Sequence, residues 1–413
     1  MEKIKHKQVI IVGGGPAGLA AGVALYDMGI TDLLIIEREK HLGGILRQCI
    51  HDGFGLTRFN QSLSGPEYAE RFIEEVKKRN IPTLTDTTVL EITKERVVSA
   101  ASKTGLQSWQ ADSVVLTMGC RERTRGAVQI PGERPAGVYT AGVAQAYINL
   151  YNTMIGKRVV ILGSGDIGLI MARRLTLEGS TVEGVFEILP HPSGLDRNVE
   201  QCLNDYGIPL YLSHTVTKIH GGSRLEGVTV SKVDESLQKI PGTEVYYECD
   251  TLILSVGLIP ENELSKMAGV DLDSKTKGPI IDNSYQTSTP GIFAAGNVLH
   301  VHDLVDYVSL EAERLAKGVG GYLAEGKKGN NYIQVRPCKG ISYTVPQKIS
   351  YGEDVMLSMR VKKPGEKVSI QITQGENIVT KQIFDEVLPA EMIQISLQGS
   401  ALLSDKSLEV SLV

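Results

Sequence analysis

Cysteine is scarce in this chain and never closely paired. Five occur among 413 residues, at Cys49, Cys120, Cys202, Cys249 and Cys338, and no Cys-x-x-Cys is present. That spacing excludes a disulfide framework and a four-cysteine metal site, and it fits reduced thiols in a cytoplasmic protein. A basic excess is also missing: the net charge is −5 and the pI near 6.0, so no nucleic-acid backbone is an expected partner. No apolar run is long enough to span a membrane. The uncharged stretch from Val9 to Tyr26 follows a basic start, but Gly13-Gly14-Gly15-Pro16 breaks it in the middle. An export signal and a membrane span are therefore both rejected. Apolar residues at 42% and charged residues at 22% exclude a disordered or collagen-like chain. The length allows two or three domains.

Glycine, by contrast, is abundant. The chain has 44, where the usual ~7% would give about 29. Such a surplus signals tight turns or close backbone approach to a ligand, and its positions decide between them. Gly13-x-Gly15-x-x-Gly18 lies between an expected strand, Gln8–Val12, and an expected helix, Pro16–Met28; a second strand, Asp32–Glu37, ends in an acid. The first glycine permits the turn, the second admits a pyrophosphate, and the third lets helix and strand pack closely. The helix N-terminus supplies partial positive charge, and the terminal acid receives ribose hydroxyls. A second copy follows: strand Arg158–Leu162, Gly163-x-Gly165-x-x-Gly168, helix Ile167–Glu178 and strand Thr181–Glu187. Glu187 follows Gly163 by the same 24 positions that separate Glu37 from Gly13. Dinucleotide contacts are accordingly expected at Gly13, Gly15, Pro16, Ala17, Gly18 and Glu37, and again at Gly163, Gly165, Asp166, Ile167, Gly168 and Glu187. An acid at the second strand end favours an unphosphorylated ribose, and so NAD(H) over NADP(H).

The remainder of the chain frames these two units. A strand is expected at Ser113–Thr117, a connection rich in Arg, Gly and Pro over residues 119–137, and a helix at Ala141–Tyr151. A loop and strand follow over Gln286–Ala294, then a helix from about Val308 to Ala324. Beyond Asn331, Val355, Leu357, Met359 and Val361 alternate with polar neighbours, as do Val368, Ile370 and Ile372, which predicts a small antiparallel β domain.

Taken in chain order, these motifs resemble the two-dinucleotide-binding-domain flavoproteins, the pyridine nucleotide–disulfide oxidoreductase superfamily. Thr117-Met118-Gly119 resembles its mid-chain T-x-G, Ile130-Pro131-Gly132 the link into its NAD domain, and Gly257 to Asn262 its G-x-x-P-N segment. Thr287 to Asn297 resembles its late flavin-binding signature. The resemblance implies an α/β fold with two Rossmann-like domains, the NAD(H) domain inserted into a split FAD domain. The expected bounds are 1–140 and 283–330 for the FAD domain, 141–282 for the NAD(H) domain and 331–413 for the C-terminal β domain. It adds Gly44, Gly119, Gly257, Gly296, Asn297 and Val308 as cofactor-binding residues, with the helix near Val308 and Ser309 aimed at the flavin pyrimidine. Asn297 departs from the aspartate usual at that position. The run Leu42 to Gly55 is similar to oxidoreductases paired with glycerol-3-phosphate dehydrogenases, and more distantly to α subunits of opine, proline and cyanide-forming dehydrogenases.

Other side chains carry chemistry less distinctly. The resemblance implies that disulfide reduction needs two close cysteines, one attacking and one passing electrons to flavin, and no such pair occurs at a motif position. Cys49 and His51 are the catalytic candidates, one as a thiolate–sulfenate couple and the other as a proton donor. Inert structural roles compete for both. His300-Val301-His302-Asp303 has a metal-like spacing but lacks a third strong ligand, so no metal is expected. Arg121-Glu122-Arg123-Thr124-Arg125 reads as a solvated mixed-charge face. The expected activity is FAD-dependent NAD(H) oxidoreduction, working with a glycerol-3-phosphate dehydrogenase-like partner subunit and compatible with an oligomer. The alternatives are an NADH peroxidase or oxidase using Cys49, or a non-catalytic docking subunit.

Overall fold

Val9, Ile10, Ile11 and Val12 form four consecutive buried positions, because their strand has a neighbour on each edge and cover on both faces. That strand, Lys5–Val12, places Val9 opposite Leu33 on one side and Ser113 on the other, both in parallel register. The computed structural model describes residues 4–326, 332–403 and 406–413. The chain divides into two compact units: residues 1–120 together with 260–413, and residues 121–259. The inserted unit thus begins and ends about twenty residues earlier than the expected bounds of 141 and 282.

In the first unit, a seven-stranded sheet runs in the order Thr83–Leu84, Leu33–Ile36, Lys5–Val12, Gly105–Leu116, Val97–Ser102, Thr87–Ile92. Ile292–Ala294 is added against the end of Gly105–Leu116. The late strand brings the chain back into the first sheet after the insertion, as a split domain requires. As expected of a loop and strand over this stretch, Pro290 and left-handed Gly291 (φ +78°) precede a short strand. Helix Pro16–Asp27 starts with proline in its first turn and packs against helix Val305–Glu325. The latter begins three residues before the expected Val308, with Asp306 in its first turn.

One helix, Gly65–Lys78, was not expected. Its signals are a capping box, in which Ser64 N donates to Glu67 Oε2 at 2.8 Å, and an apolar stripe of Tyr68, Ala69, Phe72 and Val76.

The second unit repeats the pattern. Five parallel strands run in the order Leu210–Leu212, Thr181–Glu187, Arg158–Leu162, Thr251–Leu254, Val138–Thr140, accompanied by a three-stranded antiparallel sheet of His214–His220, Gly227–Lys232 and Val245–Glu248. Arg125, expected on a solvated mixed-charge face, is tied to backbone instead. Its guanidinium donates to the carbonyls of Ile130 (3.1 Å), Gly132 (2.8 Å) and Glu133, and so fixes the connecting segment.

Beyond residue 331 two small sheets enclose their own core, including Ile333, Leu357, Met359, Ile370, Ile395 and Leu408. The pairing is antiparallel apart from Tyr332–Pro337, which lies parallel to Leu408–Leu412. Four hydrogen bonds tie this region to the 281–283 loop: Ser350 N to Asn283 Oδ1 (2.8 Å), Asn283 Nδ2 to Glu353 Oε2 (2.9 Å), Tyr332 OH to Asp282 Oδ2 (3.1 Å) and Ile281 N to Gln347 Oε1 (3.0 Å). Among the described residues no helix is long and apolar enough to cross a membrane.

Candidate functional site

The first glycine loop is built by steric necessity. Gly13 has φ +111°, and a Cβ there would lie 2.4 Å from the Thr117 carbonyl oxygen. A Cβ on Gly18 would lie 1.8 Å from the Gly13 carbonyl oxygen, so only glycine lets the helix start this close to the strand. Thr117 locks the crossing by donating its hydroxyl to Val12 O at 2.9 Å, a role for the T-x-G threonine that sequence reasoning did not assign. A Cβ on Gly15 would meet nothing nearer than Gly44 Cα at 3.8 Å, which leaves an open cradle at the helix N-terminus. No side chain caps that helix and no acid sits in its first turn, so its leading N–H groups face the cradle uncompensated. Glu37 is buried; its Oε2 accepts the Gly14 amide at 2.6 Å and its Oε1 the Glu39 amide at 2.8 Å. Each oxygen keeps acceptor capacity for a ribose hydroxyl.

Gly44, Gly296 and Val308 join the same place. A Cβ on Gly44 would lie 3.0 Å from Gly15 Cα, and one on Gly296 would lie 2.9 Å from Ala17 Cβ and 3.3 Å from Val308 Cγ1. The expected first-site residues therefore converge from three separated stretches. Gly119 lies at the end of the long central strand, where its carbonyl accepts the Glu261 amide at 3.0 Å.

In the second unit Gly163 (φ +93°) and Gly168 pack on Ser255. Ser255 Oγ accepts the Gly168 amide at 3.1 Å, and a Cβ on Gly163 would lie 2.2 Å from the Ser255 carbonyl. Glu187 is again buried at the strand end, but it is more heavily engaged than Glu37. Its Oε2 accepts Ser164 N (2.9 Å), Ser164 Oγ (2.6 Å) and Ser193 Oγ (2.7 Å), while Oε1 accepts Leu189 N (3.0 Å). The helix N-terminus at Gly165 has no side-chain cap; Asp166 turns its carboxylate to Leu195 N (2.8 Å) and Asn198 Nδ2 (2.7 Å). Ile167 follows within that first turn. Gly257 accepts the Arg123 amide at 2.9 Å. Ser164, Ser193 and Ser255 carry no motif signature, which is why the sequence did not disclose them.

Of the two catalytic candidates, Cys49 is half-buried, its Sγ 3.4 Å from the Ile45 carbonyl, and burial pushes its thiol up to about 12. The ring of His51 packs 4.9 Å from Phe54.

Asn297 faces inward. Its Oδ1 accepts His302 N at 3.0 Å and lies 3.2 Å from His302 Nδ1, and its Nδ2 lies 3.7 Å from Cys120 Sγ. The fold also supplies what His300-x-His302 lacks in sequence, a third potential ligand. Glu311, one and a half turns into helix Val305–Glu325, sets Oε2 at 2.9 Å from His300 Nε2 and 3.4 Å from His302 Nε2, and all three side chains are at most 2% exposed. Burial raises the Glu311 carboxyl, but the two imidazoles outweigh it and hold the group well below the usual carboxylate range. Burial first, and then His302, lowers His300. The sequence did contain one clue: Glu311 sits on the apolar stripe of Val308, Ala312 and Leu315, where a charge needs a partner.

The C-terminal region closes over this cluster. Tyr343 sets its ring edge-on to His300 at 5.9 Å. Arg360 donates to Val301 O (3.2 Å) and to the Pro389 and Ala390 carbonyls, and it lies 3.5 Å from Asp303 Oδ1.

Three comparisons bear on this arrangement. A family model described as pyridine nucleotide-disulphide oxidoreductase matches residues 7–314. The glutamate synthase [NADPH] small chain of Mycobacterium tuberculosis is 25% identical over 358 residues, covering 78% of this chain and 68% of that protein. The hydrogen cyanide synthase subunit HcnB of Pseudomonas protegens is 26% identical over 314 residues, covering 70% of this chain and 65% of that one. Among solved structures, thioredoxin reductase of T. acidophilum superposes with a TM-score of 0.62 at 23% identity. That match covers 76% of this chain and 98% of the other, and it shows the shared fold.

Proposed function

Because the chain belongs to the pyridine nucleotide-disulphide oxidoreductase family, we propose that it is an FAD-containing NAD(H) oxidoreductase that works with a partner subunit. The observation that carries the reading is the doubled loop: two uncapped helix N-termini, each beside a buried acid that accepts its own loop's amide. FAD fits the first loop, where the Gly15 cradle is open and Glu37 retains acceptor capacity. Gly13, Gly15, Pro16, Ala17 and Gly18 would hold its pyrophosphate and Glu37 its ribose, with Gly44, Gly119, Gly296, Asn297 and Val308 around the rest. NAD(H) fits the second, held by Gly163, Gly165, Asp166, Ile167, Gly168, Glu187 and Gly257. When bound, the two cofactors supply the hydride chemistry, a nicotinamide carbon and a flavin nitrogen exchanging two electrons.

The chain's own residues select and orient. Glu187 presents acceptors and no cation to the ribose, which favours NAD(H) over its 2′-phosphorylated form. Ser193 Oγ is the donor on Glu187 best placed to give way, since a ribose hydroxyl can replace it one for one. Asp166 is drawn away from the helix N-terminus by Leu195 N and Asn198, which lowers its repulsion of an incoming pyrophosphate.

Cys49 as a peroxidase centre is the weaker reading, because a thiol held at about 12 is protonated at neutral pH and a poor nucleophile. A partner subunit is favoured by two relatives, one named a small chain and one a subunit, and by the likeness of residues 42–55 to oxidoreductases paired with glycerol-3-phosphate dehydrogenase. The test is spectroscopic: purified protein carries about one FAD per chain and bleaches anaerobically on adding NADH. Stoichiometric flavin that NADH never reduces would overturn the reading. Co-purification from native extract then identifies the partner dehydrogenase.

A further inference from the structure

The geometry points to a buried divalent transition-metal site formed by His300, His302 and Glu311. The argument starts from the proton inventory of His302. Its backbone N–H donates to Asn297 Oδ1, which fixes that atom as oxygen, and its Nδ1 lies 3.2 Å from the same atom. Nδ1 therefore carries the proton, and in the neutral ring Nε2 carries a lone pair. That lone pair faces Glu311 Oε2 across 3.4 Å, is buried, and has no hydrogen-bond partner. A lone pair against a carboxylate in a dry interior is repulsive unless a proton or a metal cation lies between them.

His300 brings a second imidazole nitrogen to the same oxygen, with Nε2 at 2.9 Å and the two rings 4.3 Å apart. A proton on His302 Nε2 would pair that ring alone with Glu311, whereas a single metal ion engages both imidazoles and the carboxylate at once. The spacing agrees. With bonds of about 2.0–2.1 Å, neighbouring ligand atoms of a tetrahedral site stand roughly 3.3 Å apart. The two separations to Glu311 Oε2 are 2.9 and 3.4 Å, and all three ligand atoms lie within 4.8 Å of one another. The groups behind the ligands are also those a metal centre uses. Asn297 orients His302 through Nδ1, and the Gly296 amide holds Glu311 through Oε1 at 2.7 Å, leaving Oε2 for the ion. Two imidazoles and one carboxylate are borderline ligands suited to Zn²⁺ or Fe²⁺, not to Ca²⁺ or Mg²⁺. The three ligand residues lie outside both glycine loops, but Asn297 and Gly296, which orient them, are also among the residues assigned to the flavin, so the inference rests beside that reading.

The experiment is metal analysis of the flavin-containing protein as purified, and after equilibrium dialysis with Zn²⁺ or Co²⁺, beside His302→Gln and Glu311→Gln. About one metal ion per chain is expected in the wild type, falling at least tenfold in either variant while the flavin spectrum persists. The Co²⁺ form of the wild type should also show the intense ligand-field absorption of a low-coordinate N/O site, which keeps the test independent of whether a variant folds. A wild type that retains no metal and takes up neither ion overturns the proposal. So does metal content that is the same in the wild type and in well-folded variants, or a Co²⁺ spectrum matching the hydrated ion.

Discussion

Glu187 closes its own glycine loop through Ser164, accepting both the amide at 2.9 Å and the hydroxyl at 2.6 Å from a residue 23 positions earlier. The acid read in sequence as a ribose ligand is thus also a structural clasp. Glu187→Ala should cost about 1–3 kcal/mol of stability, because the buried Ser164 amide loses its partner. It should raise the KM for NADH about tenfold or more, equivalent to ~1.4 kcal/mol, without changing flavin content. Denaturant unfolding and steady-state kinetics measure the two effects separately.

The two glycine loops should fail independently. A Cβ at Gly18 has no room, lying 1.8 Å from the Gly13 carbonyl, so Gly18→Ala is expected to yield colourless or unfolded protein. At Gly168 the nearest atom is Ser255 Cβ at 2.6 Å. Gly168→Ala should therefore remain yellow and lose NADH reduction. Absorbance at the flavin band before and after anaerobic NADH distinguishes the pair.

Cys49 gives a pH prediction. Burial raises its thiol from 9.0 to about 12, so the folded protein keeps this proton between those values while the unfolded chain releases it. Stability from this group is fully present below the unfolded value and is lost as pH rises toward 12. Alkylation of Cys49, followed by mass spectrometry, should be slow near neutrality and still be climbing above pH 9. Cys49→Ser should leave NADH-dependent flavin reduction unchanged; a loss of peroxide turnover in that variant would instead restore the peroxidase reading.

Arg360 holds the C-terminal sheets to the loop that carries His300 and His302. It is 15% exposed and its partner Asp303 6%. Arg360→Ala leaves that carboxylate with only the Met392 amide among the described residues and takes the donor from the Val301, Pro389 and Ala390 carbonyls, and should cost about 2–4 kcal/mol. Chemical denaturation should show the loss, with limited proteolysis cutting first beyond residue 331.

Both glycine loops were legible in the sequence, as were the strands and helices that flank them and the alternation in the C-terminal sheets. Helix Gly65–Lys78 carries its signals just as locally, in Ser64 and Glu67, while the late helix begins at Val305 and not at the expected Val308. That helix starts earlier because Asp306, a loop-type residue in sequence, is held in its first turn by a carboxylate that accepts Gly55 N at 3.0 Å and Arg58 N at 2.6 Å.

What the sequence determined by itself is whatever a short stretch of chain must do locally: a turn that only glycine can make, a helix that opens on an uncapped end, an acid at the close of a strand. These requirements act over a few residues, so they leave fixed spacings. The tertiary structure decided which side chains meet without a spacing rule. Ser193 reaches Glu187 across a loop, Arg360 reaches the Val301 loop from a C-terminal strand, and Glu311 turns inward to two histidines about ten positions earlier. Burial is what makes those meetings matter, because a charge or lone pair in a dry interior must find a partner, and only the folded chain shows which partner it finds.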